Sequence, residues 1–220
     1  MDISNRFSLA DFFAYLFPGI FTSAGLYLLI SLTPLNQKLE GLSINSIGVG
    51  TLFLIFSFIV GIINSGFSEI MTNSIRHKND AVITLDGFEA NVKKAFVKTF
   101  GGKENFKWTR AHFYLCRSMV TQYMPNEVPE IQRQSGLRQL RMNLLPGIVT
   151  WMFTGAYWGW EIHNDFSQAW GISVILFSIT LGVFIFLNTL NRMENNNKRE
   201  ARETIAAFLI GCETGLFKRK

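Results

Sequence analysis

Charge is what much of this sequence lacks. Four windows, 12–37, 41–68, 142–160 and 166–191, contain no Asp, Glu, Lys or Arg, and no His falls in any of them. Proton relays, ion-coupled carriers and intramembrane proteases need ionisable groups at depth. Their absence argues against a secondary transporter or a membrane enzyme, although a hydrophobic constriction can still gate a pore by dewetting. Cysteine is scarce too. Cys116 and Cys212 are the two present, with no CxxC, and a disulfide framework is not expected. The three histidines, His77, His112 and His163, are far apart and none has metal-ligand spacing, so no metal site is expected. There is no P-loop, no Gly-rich dinucleotide fingerprint and no nucleophile elbow. His112 and Cys116 stand i, i+4 with Ser118 close by, the spacing of a thiol–imidazole dyad on a helix. Packing explains that spacing better than catalysis, so no catalytic residue, enzyme activity or cofactor is assigned.

What the chain has in quantity is apolar surface. Of its 220 residues 48% are hydrophobic, and 21 are Phe. A spanning helix needs roughly 20 mostly apolar residues, at about 1.5 Å rise across about 30 Å of hydrocarbon. All four windows meet that length, the third most narrowly. The first lacks the basic flank and cleavage site of a signal peptide. Pro18-Gly19 interrupts it, as a kink or as the end of an interfacial helix preceding a span over 20–32. Ser57, Gly61 and Ser65 recur every fourth residue in the second window, and Gly155 and Gly159 do so in the third. Small-xxx-small rows let helices approach closely, and Asn64 beside the first row is expected to bond a partner helix, a pore-lining role being the alternative.

The charge that is present is gathered between the second and third windows. The stretch 69–141 carries twelve basic and seven acidic residues, a net +5, and the end of the chain adds seven more basic residues beyond Asn191. The loops at 38–40 and 161–165 are neutral or acidic. Basic flanks stay in the cytoplasm, so both termini and the central stretch are placed there, with Trp158, Trp160 and Trp170 as an interfacial belt at the outer end. The expected architecture is all-α. Transmembrane helices 1 and 2 occupy 1–68, a basic cytoplasmic helical domain 69–141, transmembrane helices 3 and 4 142–191, and a cytoplasmic C-terminal helix 192–220.

Within 69–141 the sequence predicts three helices. The first is capped by Thr84 or Asp86, buries Phe88, Val92, Ala95, Phe96 and Thr99, and ends at Gly101-Gly102. The second covers 108–123, and the third begins at Pro129 and leads toward the third span with Arg133, Arg138 and Arg141. The C-terminal helix presents Ile205, Phe208, Leu209, Cys212 and Leu216 and is expected to pack on these helices or between subunits. Arg76-His77-Lys78 sits where headgroups would be. Lys93, Lys94, Lys98, Arg110, Arg117, Arg133, Arg138 and Arg141 are the candidate contacts of an anionic ligand. Topology alone also calls for basic residues here.

The segments 11–19, 113–118 and 138–146, together with the layout of two spans, a basic insert, two spans and a helical tail, resemble a group of bacterial four-span proteins of antiphage defence islands. Two kinds of protein share that layout. Resemblance to HalA-like channel effectors of Hailong systems implies a homo-oligomer whose pore is controlled by a nucleic-acid or nucleotide ligand; for such a four-span pore a tetramer is the favoured arrangement. Resemblance to KwaA-like membrane subunits of Kiwa systems implies a sensor in the bacterial inner membrane that scaffolds a soluble DNA-binding partner.

Overall fold

The computed structural model describes residues 9–33, 46–75, 89–103 and 105–217. Among them every regular element is helical: α1 Leu9–Ser31, α2 Ser46–Ile75, α3 Glu89–Phe100, α4 Arg110–Tyr123, α5 Val128–Asp165 and α6 Gln168–Glu213. The expected caps Thr84 and Asp86, Phe88, the Arg76-His77-Lys78 group and the first outer loop lie outside the described residues. The chain forms two compact units, 1–75 with 136–193, and 76–135 with 194–220. The divisions fall inside α5 and inside α6.

Three helices are long and apolar enough to cross a membrane: α1 over Phe12–Ser31, α2 over Gly50–Thr72, and α6. The uncharged window 142–160 lies within α5, which is not one of the three. Its middle is diluted by Asn143, Thr150, Trp151, Thr154, Tyr157 and Trp158, and several of these have partners on other helices. The separate helix and span expected around Pro146 are one element of 38 residues, and α6 joins the fourth window and the tail in one helix of 46. At 1.5 Å per residue α6 is roughly 70 Å long, more than twice the hydrocarbon thickness, so only its uncharged first half matches a span.

In the first unit, helices meet where side chains are smallest. α1 crosses α2 at Gly19 and Gly61: a Cβ on Gly19 would collide with the Ser57 carbonyl, and one on Gly61 with the Tyr15 carbonyl. Phe12 stacks on Phe58 beside this crossing, with ring centroids 5.2 Å apart. α5 and α6 form an antiparallel pair on a second row of small residues. Gly155 faces Ser178, Gly159 faces Gly171 and Ile175, and Gly182 faces Met152. α1 is continuous through Pro18 rather than ending there.

The second unit is built around a shared hydrophobic cluster. Val92 and Phe96 of α3, Trp108, Phe113, Cys116 and Val120 of the α4 region, Ile131 of α5, and Ala201, Ile205, Phe208 and Phe217 of the tail share one buried cluster. α3 ends at Gly101 and Gly102, with φ of 85° and 116°, a left-handed region that glycine enters without penalty. At the end of α6, Gly215 has φ 74°, and the Leu216 N–H donates to the Gly211 carbonyl at 3.0 Å. That turn lays Phe217 back over Gly211 and Phe208. Leu216, expected in the apolar stripe, is exposed, and Phe217 takes the buried place.

The α1–α2 crossing generates a direct test. Gly61→Ala should lower the stability of the detergent-solubilised protein by at least about 1–3 kcal/mol, the usual cost of overpacking. Gly66→Ala, whose Cβ meets nothing within 4 Å, should be neutral or gain up to about 1 kcal/mol from helix propensity. Thermal unfolding of both variants checks the contrast; equal shifts would contradict the crossing.

Candidate functional site

The polar residues of the first unit converge on Asn143. Proline has no N–H, so Pro18 leaves the Ala14 carbonyl without its usual helical donor. Asn143 Nδ2 of α5 donates to that carbonyl at 3.0 Å. Asn143 Oδ1 in turn accepts from Gln139 Nε2 at 3.1 Å, and the same Gln139 amide reaches Ser65 Oγ of α2. Asn64 Nδ2 donates to Thr22 Oγ1 at 2.7 Å and, more distantly, to the Asn143 carbonyl at 3.4 Å. Thr22 Oγ1 donates to the Pro18 carbonyl at 2.9 Å. Asn64, Thr22 and Asn143 are all buried.

Two further bonds extend the same docking along α1. Trp151 Nε1 donates to the Phe21 carbonyl at 2.9 Å, and the Thr154 hydroxyl is shared between the Gly25 carbonyl at 3.1 Å and the Thr150 carbonyl of its own helix at 3.0 Å. With Asn143 they form a row of α5 side chains serving α1 backbone oxygens. Interhelical bonds of this kind contribute about 0.6 kcal/mol each on average, up to about 1.7. Of the small and polar residues singled out in the sequence, Ser57, Gly61 and Asn64 are buried between helices, Ser65 is half-buried against Gln139, and Gly155 and Gly159 face α6. Asn143, Gln139 and Thr22 were not singled out, although Asn143 stands in an uncharged window just as Asn64 does.

The eight candidate cations are divided between the units, six in the second and Arg138 and Arg141 in the first. Several are engaged within the chain. Arg117 Nη1 lies 2.6 Å from Glu200 Oε1, and the Glu200 side chain is 3% exposed against 27% for Arg117. Lys93 pairs with Glu89 at 2.7 Å and sits 5.9 Å from the Phe106 ring centroid. Arg133 donates to Glu130 at 2.9 Å, and that bond, with a second from Gln134, holds the Glu130 carboxyl below its usual range. Arg141 Nη1 donates to the Arg192 carbonyl at 2.9 Å, and Arg138 is half-buried. Arg110 opens α4, and its side chain lies outside the described residues. Lys94 and Lys98, one turn apart, are exposed on α3, and Lys103 and Lys107 are exposed in the segment that follows. These four lysines form one exposed basic stretch of the second unit; Lys198, Arg199 and Arg202 are exposed on α6.

His112 is occupied at the start of α4. Its Nδ1 accepts the Thr109 backbone N–H at 3.0 Å, which places the proton of the neutral ring on Nε2. His112 thus serves the third helical position of a capping box, and its ring packs among Phe96, Phe106 and Trp108. Cys116 is fully buried, and that burial, with a smaller contribution from Cys212, pushes its thiol well above the ordinary range. A thiol held protonated is a poor nucleophile. Among the described residues no three His, Cys, Asp or Glu side chains gather as a metal site would require. No protein-family model matches the chain, and no curated protein or solved structure is significantly similar to it.

Two variants test these contacts. Asn143→Ala should cost about 1–3 kcal/mol, because it strands a buried carbonyl. In a Pro18→Ala background, where the N–H of residue 18 can serve Ala14, the same change should cost less. A double-mutant cycle with no coupling would contradict the assignment. Glu200→Gln should destabilise the second unit by about 1–3 kcal/mol, short of the roughly 3–5 kcal/mol of a fully buried pair because Arg117 keeps some water. Hydrogen exchange over 196–213 should rise in that variant and stay unchanged in Glu203→Gln, whose residue is exposed.

Proposed function

We propose that this chain is a membrane effector of bacterial antiphage defence that conducts ions as a homo-oligomer, with four copies the favoured number. In this reading α1, α2, the 142–160 part of α5 and the first half of α6 are its four spans. The second unit and both termini are cytoplasmic, in a multi-pass protein of the bacterial inner membrane. The observation that carries the reading is the division of α6 into two faces. Gly171, Ile175, Ser178 and Gly182 lie toward α5. On the opposite side Ser173, Phe177, Thr180 and Phe184 are exposed, a row at helical spacing within a broader exposed apolar face that includes Leu176, Ile179 and Leu187. Hydroxyls alternating with Phe rings suit a conduit that closes by dewetting. Lys94, Lys98, Lys103 and Lys107 are the surface at which an anionic nucleotide or single-stranded nucleic acid would act, and α5 and α6 are the helices common to both units.

A second reading is a non-conducting anchor or sensor that scaffolds a soluble DNA-binding defence protein. It is favoured by the inward use of Ser57, Gly61, Asn64 and Asn143, which are buried within one chain.

Ion flux from liposomes carrying the purified protein decides between them. Flux opened or closed by short single-stranded DNA or a small nucleotide is expected, with Phe184→Ala raising the ungated leak severalfold. Lys94→Glu with Lys98→Glu should abolish the ligand response while leaving insertion intact. Folded, oriented protein that passes no ions under any condition would overturn the pore and leave the anchor, which predicts stoichiometric co-purification of a soluble partner.

A further inference from the structure

Two helices pass from one unit to the other, and each carries weak helix formers where it does so. The division in α5 falls between Ser135 and Gly136, and that in α6 between Met193 and Glu194, directly before Asn195-Asn196-Asn197. Glycine is the poorest helix former after proline, and serine and asparagine lose helix preference because their side chains compete for backbone groups. Glycine–serine pairs are also among the places where long helices kink. Gly136 lies eight residues inside α5, which is helical through it, so it is not a cap. Packing does not call for it either, since a Cβ there would meet nothing within 4 Å. The later glycines of α5 differ: Gly147 faces Phe21 and Thr22, Gly155 faces Ser178, and Gly159 faces Gly171 and Ile175. α6 likewise stays helical through all three asparagines. Gly136 is five residues before Arg141, and Asn195 is three after Arg192, the two residues whose hydrogen bond ties α5 to α6 within the first unit.

We propose that Ser135-Gly136 and Asn195-Asn196-Asn197 form a paired hinge, at which the second unit changes its angle to the first as one body. The pairing carries the inference. One weak helix beside a strong one would stay straight, because the strong helix would hold both units; two helices weakened at the same division yield together. Each unit is tied internally, the first through Asn143 and the second through its shared core, so bending costs least between them. Hinges are a few positions that absorb a change of backbone angle while the bodies on either side keep their packing. The hinge serves a pore and an anchor alike. In the pore reading it is where an event on the lysine surface reaches the spans of α5 and α6.

Hydrogen exchange and paired spin labels test this on the purified protein in lipid nanodiscs. Amides over 132–138 and 193–199 should exchange faster than the helix on either side. Gly136→Ala combined with Asn195→Ala should slow them about fivefold or more, the factor that a glycine-to-alanine helix preference represents. Spin labels go on Glu69→Cys and Glu203→Cys, exposed positions of the first and second units, in a Cys212→Ser background where the remaining Cys116 is buried. The distance distribution between them should be broad and should narrow in the alanine double variant. Labels on Lys94→Cys and Glu203→Cys, both in the second unit, should give a narrow distribution that the double variant leaves alone. Gly66→Ala, at an open glycine of α2 within one unit, should change neither. Uniform protection along α5 and α6, a between-unit distribution as narrow as the within-unit one, or equal narrowing by Gly66→Ala would each overturn the hinge. So would a double variant that leaves either the exchange or the between-unit width unchanged.

Discussion

The Ala14 carbonyl is the point on which the arrangement of the first unit depends. Pro18 removes the donor this oxygen would have within α1. An unsatisfied carbonyl in hydrocarbon costs several kcal/mol. α5 supplies the replacement from Asn143, but a buried amide brings a carbonyl and a second N–H of its own. Gln139 serves the Asn143 side-chain oxygen, and Ser65 and Asn64 draw α2 into the same group. One missing N–H thereby sets the register of three helices. The same demand accounts for the composition of α5. A helix that must donate from Asn143, Trp151 and Thr154 to its neighbour gives up apolar residues, and so it falls below the apolarity of α1, α2 and α6.

The second unit meets its polar groups in another way. Its core is aromatic and aliphatic, and the buried charge it holds, Glu200, is met by Arg117 from α4. Buried pairs contribute little net stability but are costly to break, so they act mainly on which register is allowed. α6 shows both regimes along one continuous helix. Over 171–187 its fully buried positions are Gly171 and Gly182, and most of its large side chains are exposed. Over 200–208 the pattern inverts, with Ala201, Thr204, Ile205 and Phe208 buried, and Arg202 and Glu203 exposed. Under the proposed topology the inversion is what α6 requires, because lipid rewards close backbone approach and water rewards burying large apolar groups.

Much of the helical content was legible in the sequence because it rests on local signals. The windows without charge, the Gly101-Gly102 stop, the Val92/Phe96 stripe and the Ile205/Phe208 face each follow from periodicity or backbone preference within a few residues. The partners were not legible. Nothing near Glu200 names Arg117, and nothing near Pro18 names Asn143, because those pairings join residues far apart in the chain. The continuity of α5 through Pro146 was also missed. Proline reads as a boundary from local rules, whereas among packed helices it can sit inside one. Yet two signals were present. An acid inside an apolar stripe, as at Glu200, and an amide inside an uncharged window, as at Asn143, both mark side chains that must find a specific partner.

The basic residues of the chain show why total charge is a poor guide to a ligand surface. Orientation in a membrane responds to how many Lys and Arg lie on each side, and an arginine engaged with Glu200 counts toward that total as fully as an exposed lysine. A ligand responds only to cations it can reach without first breaking an internal contact. By that criterion Arg117, tied to a 3%-exposed carboxylate, is a structural residue whatever its sign. Lys94, Lys98, Lys103 and Lys107 combine charge with exposure. Exposure separates the first case from the second.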